Sequence, residues 1–316
     1  MLQDYKIHCE ERKEQGIPPL PLSAQQTSEL VELLKSEHEE SELLLELLKE
    51  RTPAGVDQSA YVKAGFLADI TTGKTTSPYI TKKEAVIILG TMLGGYNIQP
   101  LVKCLDDDEL GEEAASALSN TLLIFDAFNE ILELSETNKN AKAVINAWAE
   151  GTWFQEKEKI PEQIKLTVYK VPGEINTDDL SPATDAWSRP DIPLHALAMF
   201  KMPREGLEKP LETIEELKKK GNPLVFVGDV VGTGSSRKSA TNSVLWHMGD
   251  EIPYIPNKKE GGFCFGGKIA PIFFNTLEDS GAFPVECDVS KLKMGQEIIF
   301  EPYDGKISDA NSGEIL

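Results

Sequence analysis

The stretch LVFVGDVVGTGSSRKSA, residues 224–240, decides the fold of the second half of the chain. Its first residues, Leu224–Val227, form a short apolar run suited to a strand buried in a sheet. Glycines follow, which let the backbone turn tightly and approach a ligand closely. Apolar residues at Val244–Trp246 then predict a helix. The order of strand, glycine-rich turn and helix predicts an α/β layer.

The turn itself, Gly232–Arg237, has side chains suited to an anion. Backbone amides at the start of the following helix attract negative charge. The hydroxyls of Ser235 and Ser236 can donate directional hydrogen bonds, and the Arg237 guanidinium can hold a carboxylate through two parallel bonds. The Gly-Lys-Ser ending of a phosphate-binding Walker loop is absent, and Arg237 stands where a dinucleotide fingerprint needs its third glycine. The alternative is a plain glycine-rich turn with a capping serine and a surface arginine.

A second polar segment, Gly173–Asp191, is rich in turn-forming residues and contains one arginine, Arg189, between Ser188 and Pro190. Because Ser188 and Pro190 flank it, Arg189 lies on a stiff segment, but its residue type alone favours a structural role. This structural alternative is an Asx-turn loop in which this arginine pairs with a local acid. His195 and His247 beyond it are interpreted as structural side chains.

Strand patterns surround these motifs. Ile164–Val171 alternates in the manner of a strand and is followed by Pro172-Gly173, which predicts its end. Further strands are predicted at Pro284–Val289 and Glu297–Phe300, and a helix at Thr213–Lys220. The second half is therefore predicted to be mixed α and β.

The first half shows helical spacing from residue 22 to about 155. Apolar residues recur on one face of Ser28–Lys35 and Ser41–Leu48. Thr81–Glu84 is a capping box that opens a helix to about Leu93. Pro100–Leu118 gives a short helix, an acidic turn and an Ala/Leu-rich helix, which is typical of a stacked HEAT-type repeat. The alternative is an ordinary helical bundle. The predicted domains are 1–158, helical, and 159–316, α/β.

Composition and charge restrict the class of protein. A chain of 316 residues with 40% apolar residues accommodates two soluble domains. It has no apolar run of membrane-spanning length and no secretory leader, so no membrane association and a cytoplasmic location are expected. The net charge is −20, and residues 1–160 carry 15 basic against 28 acidic residues. This charge does not favour nucleic-acid binding.

The four cysteines are scattered and form no C-x-x-C pair. Cys9, Cys104, Cys264 and Cys287 fit neither a zinc site nor a complete cluster site, so they are interpreted as reduced core thiols. The alternative is that one of them is a redox or cluster ligand. The acidic stretch Asp106–Glu109 is interpreted as a repeat turn, because it lacks the glycine of a calcium-binding loop.

Together the two polar motifs resemble the swivel domain of the aconitase family, in which an N-T-D-x-L-S-P-A loop precedes a G-x-G-S-S-R turn. Residues 185–199, DAWSRPDIPLHALAM, 227–246 and 257–286 resemble the bacterial aconitase B family in particular. In the first half, residues 56–70, VDQSAYVKAGFLADI, and 89–102 resemble the HEAT-like domain of that family. The resemblance covers essentially the whole chain.

This resemblance implies a multidomain α and α/β fold: a HEAT-like solenoid followed by a swivel domain that is incomplete at its C-terminus. It also implies reversible conversion of citrate to isocitrate through cis-aconitate, and in some members hydration of 2-methylaconitate, the chemistry of a 2-methylisocitrate dehydratase. Ser235 corresponds to the catalytic base. Four residues, Arg189, Ser235, Ser236 and Arg237, correspond to residues that bind the tricarboxylate substrate.

The family's [4Fe–4S] cluster is held by three cysteines in a catalytic core, and no cysteine here corresponds to them. The expectation is therefore that this chain needs the catalytic core domains for activity, whether it is a fragment or a truncated gene product. The resemblance further implies a homodimer through the helical domain and messenger-RNA binding, although charge does not support the latter. The competing hypothesis is a non-catalytic interaction module for dimerisation or partner binding.

Overall fold

A computed structural model describes residues 1–121 and 126–316. The predicted helical region 22–155 includes residues 122–125, which lie outside the described residues. The chain divides into two compact units. One comprises Met1–Arg12, Pro19–Glu158 and Pro253–Pro256; the other comprises Lys13–Pro18, Lys159–Ile252 and Asn257–Leu316.

The first half of the chain is helical throughout its described residues. Its α-helices are α1 Leu2–Glu14, α2 Ala24–Leu34, α3 Ser41–Glu46, α4 Gln58–Thr71, α5 Lys82–Gly90, α6 Ile98–Cys104, α7 Gly111–Ser119, α8 Phe128–Leu134, α9 Lys139–Glu150 and α10 Thr152–Gln155. A π-helical turn, Leu47–Arg51, follows α3 directly. Among the described residues, no helix has the length and apolar character needed to cross a membrane.

The predicted capping box at the start of α5 is confirmed. Thr81 Oγ1 accepts a hydrogen bond from the Glu84 amide at 3.2 Å, and Glu84 Oε2 accepts one from the Thr81 amide at 2.8 Å. The predicted end at Leu93 is wrong, because α5 ends at Gly90. The Leu93 amide instead donates to the Ala54 carbonyl at 2.8 Å, so a tertiary hydrogen bond replaces the intrahelical one.

The helices of this unit pack in a row around one apolar core. Helix α2 packs on α4, α4 on α5, α5 on α7, and α7 on α9. The core is formed by apolar side chains on the inward faces of these helices, with Leu30, Leu67, Leu89, Leu118 and Val144 each less than 1% exposed. Each helix thus buries its apolar stripe against its neighbours in the row.

The second half of the chain contains the sheet. Its strands are β1 Ile164–Asn176, β2 Leu224–Thr233, β3 Asp250–Glu251, β4 Lys259–Glu260, β5 Phe263–Ile269, β6 Phe283–Glu286, β7 Glu297–Glu301 and β8 Lys306–Asp309. Its α-helices are α11 Thr177–Leu180, α12 Ile192–Ala196, α13 Pro210–Lys218, α14 Lys238–Met248 and α15 Pro271–Asp279. The expectation of a helical half followed by a mixed α and β half is confirmed.

Six strands form one mixed sheet in the order β6-β5-β2-β1-β7-β8. Strands β1, β2, β5 and β6 are parallel to one another. On the other side of β1, β7 pairs antiparallel with β1, and β8 pairs antiparallel with β7. The carboxyl ends of β1, β2 and β5 therefore meet at one edge, where loops from parallel strands commonly bind ligands.

The predicted end of β1 at Pro172-Gly173 is wrong, because the strand continues to Asn176. The register against β2 shifts between Val171 and Glu174, which marks a β-bulge. At this bulge Gly173 has a left-handed backbone conformation, with a φ of +76°, and its amide donates a hydrogen bond to Asp229 Oδ2 at 2.6 Å. The bulge lets β1 continue to the edge at which the carboxyl ends of β2 and β5 also lie.

Both faces of the sheet are covered. Along β2, Val225 and Val227 face one core, and Phe226 faces the other, which contains residues of α14 and α15. The apolar run predicted as a buried strand is therefore confirmed, since each of these side chains is less than 1% exposed.

Candidate anion-binding site

The predicted site residues lie in loops that leave the carboxyl ends of neighbouring strands. Helix α11 follows β1, the Gly232–Arg237 turn follows β2, and α15 follows β5. Because these strands are parallel and adjacent, residues far apart in sequence reach the same edge of the sheet.

The turn requires glycine at two positions. Gly232 and Gly234 have φ values of +79° and +92°, which other residues adopt only with strain. A Cβ atom on Gly232 would lie 2.2 Å from Cγ of Phe273, and one on Gly234 would lie 3.4 Å from Thr177 Oγ1. The glycines thus permit both the left-handed backbone and close packing against α11 and α15.

Ser235 lies exposed at the tip of this turn. Its carbonyl accepts a hydrogen bond from Thr177 Oγ1 at 2.7 Å, which ties the turn to the first residue of α11. Helix α14 begins three residues later, at Lys238. The N-cap residue is Arg237, and its side chain makes no capping hydrogen bond. The alternative of a capping serine is therefore wrong.

Arg237 is a half-buried residue, with 24% of its side chain exposed. Its two terminal nitrogens bind the two oxygens of Asp178, the Nη2–Oδ2 distance being 3.2 Å. Nη1 also donates to the Ser181 carbonyl at 3.0 Å. The hydrogen bonds from Arg237 hold the pKa of the Asp178 carboxyl below its usual value. The guanidinium is thus fixed in orientation, in contrast to the surface arginine of the alternative interpretation.

Arg189 is anchored within its own segment. Its Nη1 donates to the Leu194 carbonyl at 3.0 Å, and its Nε lies 3.4 Å from Asp185 Oδ1. This contact is the local pairing that the alternative interpretation predicted. Asp185 also accepts from Lys201 at 2.9 Å, and this bond lowers the pKa of the Asp185 carboxyl. In the described part of the chain Arg189 Nη2 forms no hydrogen bond, so this group can bind a ligand.

A cavity of about 370 Å³ brings the two arginines together. Its polar lining also includes Ser181, His195, Ser239 and Asn242. A second cavity of about 120 Å³ lies on the other side of Arg237, lined by Ser236, Phe273 and Thr276 among others. Ser235 lines neither cavity. Arg237 therefore shares one cavity with Arg189 and the other with Ser236, while Ser235 precedes them in the turn.

Sequence reasoning missed three cavity residues that are hydrogen-bonded to one another. Ser181 Oγ lies 2.7 Å from His195 Nε2 and 2.6 Å from Ser239 Oγ. His195 lies in α12 as expected, but it contacts the cavity as well as the core. The available signal was the serine of the N-T-D-x-L-S-P-A motif, which pointed to Ser181 but not to its partners.

His247 has the packing role that the sequence indicated. Only 7% of the residue is exposed, and its Nε2 lies 3.1 Å from the Ala196 carbonyl. Burial lowers the pKa of His247 to about 4, because the charged ring would lose its hydration. The ring is therefore neutral at pH 7.

The residues described here do not fit an iron–sulfur cluster. All four cysteines are free thiols, and burial raises the pKa of each of them, which disfavours the thiolate that a metal needs. Within residues 1–121 and 126–316, no three His, Cys, Asp or Glu side chains lie close enough to hold a metal ion.

Two family models match the chain. Aconitate B N-terminal domain covers residues 4–154, and Aconitate hydratase 2 N-terminus covers residues 166–316. A 3-isopropylmalate dehydratase from Methanocaldococcus jannaschii also matches, at 19% identity over 48% of this chain and 79% of that one. Its TM-score of 0.36 is too low to bear on the fold.

Three relatives, each described as aconitate hydratase B, match over the whole chain. The identity is 58% to the protein of Pseudomonas aeruginosa, 60% to that of Synechocystis and 57% to that of Escherichia coli. The chain spans 37%, 36% and 38% of the length of these relatives, respectively. The chain therefore belongs to the aconitate hydratase B family and corresponds to the N-terminal part of its members.

Proposed function

We propose that this chain supplies the substrate-holding part of an aconitate hydratase, which interconverts citrate and isocitrate through cis-aconitate. The observation that carries the proposal is the placement of Arg189 and Arg237 on one cavity of about 370 Å³. Two guanidiniums on one cavity favour a ligand with at least two carboxylates. The volume lies within the range of about 300–1,000 Å³ that is typical of small-molecule sites.

The electrostatics of the site support an anionic ligand despite the net charge of −20. Asp178 and Asp185 hold the two arginines in place, and each arginine has five N–H groups, more than these acids occupy. A carboxylate that binds there replaces water and not the existing partners. The acids therefore orient the guanidiniums for binding.

Ser235 is proposed as the base that removes a proton from the substrate. A serine hydroxyl is a weak base, so its alkoxide needs positive charge and hydrogen-bond donors nearby. Arg237 and the start of α14 are two and three residues away along the chain. Since Ser235 lies outside both cavities, the reacting carbon would lie at the cavity mouth, beside the turn.

The loss of the substrate hydroxyl needs chemistry that these residues do not supply. A [4Fe–4S] cluster would be held outside this chain, by the catalytic core, and would supply the Lewis acid for that hydroxyl. The residues of this chain bind and orient the carboxylates and hold the proton at Ser235 Oγ. Whether the substrate is citrate or 2-methylisocitrate depends on groups at the cavity mouth.

The test is an aconitase assay on the purified chain after anaerobic reconstitution, with and without a separately expressed catalytic core. We expect activity only when the core is present. With the core, Ser235→Ala should lower kcat far more than it raises KM, and Arg237→Lys should raise KM, because a point charge cannot replace the guanidinium fork. Equal losses in kcat and 1/KM for Ser235→Ala would contradict its role as base. Lack of activity in every mixture would favour the interaction module.

For the helical domain, residues 1–158, we propose a HEAT-like solenoid that serves in self-association. The row α2-α4-α5-α7-α9 supports it, because each helix contacts its neighbours in the row. Two apolar side chains, Val56 and Leu93, are 78% and 69% exposed, which favours an interaction surface in this unit. Sedimentation at two concentrations tests this: we expect a dimer that Leu93→Glu weakens, and a strict monomer would contradict it. The negative charge does not favour RNA binding, and no RNA binding at low salt is expected.

A further inference from the structure

Three side chains of the larger cavity form a continuous hydrogen-bonded chain. His195 Nε2 lies 2.7 Å from Ser181 Oγ, and Ser181 Oγ lies 2.6 Å from Ser239 Oγ. They come from three separate elements: His195 from α12, Ser239 from α14, and Ser181 from the end of α11. Ser181 and His195 are buried, at 2% and 8% exposed, whereas Ser239 is partly exposed on the cavity side.

The hydroxyls of Ser181 and Ser239 each carry a single proton. Whether His195 Nε2 carries a proton therefore decides the direction of both hydrogen bonds. If Nε2 has no proton, Ser181 donates to the ring and Ser239 donates to Ser181. Ser239 then presents only lone pairs to the cavity. If Nε2 carries a proton, Ser181 accepts from the ring and donates to Ser239. The proton of Ser239 is then free to point into the cavity.

The cavity distinguishes between these two directions. Arg189 and Arg237 line it, and a carboxylate group held between them accepts hydrogen bonds and donates none. Only the direction that starts at a protonated Nε2 gives this anion a donor at Ser239. The same residue that links the ring to Ser239 also fixes Arg237, because the Ser181 carbonyl accepts from Arg237 Nη1 at 3.0 Å.

We propose that His195 is a positioning residue: its Nε2–H holds Ser181 as an acceptor, so that Ser239 donates a hydrogen bond to a carboxylate of the bound ligand. This inference rests on the proposed function, in which the cavity binds a polycarboxylate. Arg189 and Arg237 supply charge, and Ser239 supplies a third, neutral donor that fixes the orientation of the ligand. His195 acts through Ser181 and does not itself need to contact the ligand.

The first test is the protonation of the ring in the purified chain, without any ligand. Long-range proton–nitrogen NMR correlations distinguish a protonated from an unprotonated ring nitrogen in each of the four histidines. The spectrum of His195→Gln identifies the signals of His195. We expect a protonated Nε2. An unprotonated Nε2 would overturn the proposed arrangement, whether or not the chain binds citrate.

The second test is calorimetric titration with citrate of variants whose folding is checked by circular dichroism. Losing one hydrogen bond to a charged ligand weakens binding about tenfold or more, so we expect this loss in Ser239→Ala and in His195→Leu. The double variant should be no weaker than either single variant, because both remove the same donor. His195→Gln, whose amide can donate to Ser181, should retain affinity within about threefold.

The matched control is Ser188→Ala, which removes an exposed hydroxyl outside the cavity and should leave the affinity unchanged. Unaltered citrate binding by folded His195→Leu, or additive losses in the double variant, would overturn the role of His195. If the parent chain binds no citrate, or binds it no more tightly than Arg237→Ala does, the proposed function fails instead, and the NMR result still decides the direction of the hydrogen bonds.

Discussion

The helical unit and the α/β unit place positive side chains in different environments. In the helical unit, Lys63 has no exposed surface, and its Nζ lies 3.3 Å from the Lys49 carbonyl. Burial lowers the pKa of Lys63 to about 8. In the α/β unit, Arg189 and Arg237 keep 32% and 24% of their side chains exposed and line a cavity. The helical unit encloses a charge that has lost its hydration, whereas the α/β unit places its charges beside a cavity.

The largest expected effect comes from Gly232→Ala in the α/β unit. The substitution imposes a left-handed backbone on alanine and places a methyl group against the Phe273 ring. Together these costs predict a loss of about 4 kcal/mol in the free energy of unfolding. Urea unfolding measures it.

The control for this prediction is Gly305→Ala, which has a φ of +61° but open space around the added Cβ. This variant should lose about 1 kcal/mol in the free energy of unfolding, because only the left-handed backbone is unfavourable for alanine there. Equal losses in the two variants would show that the turn does not depend on its packing against Phe273.

The second prediction concerns the buried neutral histidine of the α/β unit. The pKa of folded His247 is lowered from 6.5 to about 4, so between these pH values the unfolded chain binds a proton that the folded chain does not. The free energy of unfolding should therefore fall as pH falls from 7 to 4, by about 3 kcal/mol from this group.

The comparison is urea unfolding of the parent and of His247→Gln at pH 7 and pH 4. The glutamine amide can still donate to the Ala196 carbonyl but does not titrate. Between pH 7 and pH 4, the free energy of unfolding should fall by about 3 kcal/mol less in the variant than in the parent. Identical pH dependence in both proteins would contradict the buried neutral ring.

A smaller effect is expected in the helical unit, where Lys63→Met should raise the free energy of unfolding at pH 7 by about 2 kcal/mol. The folded pKa of Lys63 lies below 10.5, so the parent should gain stability as pH rises from about 8 to 10.5, and the variant should lack this gain. Lys82→Met, at an exposed position, is the control and should change little. Destabilisation by Lys63→Met would show that the ammonium group serves the fold.

The smallest effect is expected for Thr177→Val, which removes the hydrogen bond to the Ser235 carbonyl. The expected cost is about 1 kcal/mol, with a few-fold weaker binding of citrate because the turn is less constrained. Thr177→Ser keeps the hydroxyl and should restore both values. A loss of stability in Thr177→Ser but not in Thr177→Val would assign the effect to the methyl group and not to the hydrogen bond.

The sequence predicted those features that depend on neighbours along the chain. The helical period and the Thr81–Glu84 cap were correct, and so was the apolar strand before the glycine turn. The bulge that extends β1 past Gly173 was missed, because Pro172-Gly173 is also a turn signal and only pairing with β2 distinguishes the two.

The partners of the site residues could not be predicted in the same way. Asp178 binds Arg237 across 59 positions, and many other acids were equally plausible partners in a chain this acidic. The contact between Ser181 and His195 likewise depends on where α12 packs. Residue types indicated an anion site, but only the order of the parallel strands determines which side chains share a cavity.

Arg237 lines both cavities, and this shared wall links their occupancies thermodynamically. A ligand that moved the guanidinium toward the larger cavity would alter the lining of the smaller one. Binding in either compartment must then change affinity in the other by the same factor, because coupling free energies are reciprocal. A substituent held beside Phe273 would then change the affinity for a carboxylate held beside Arg189.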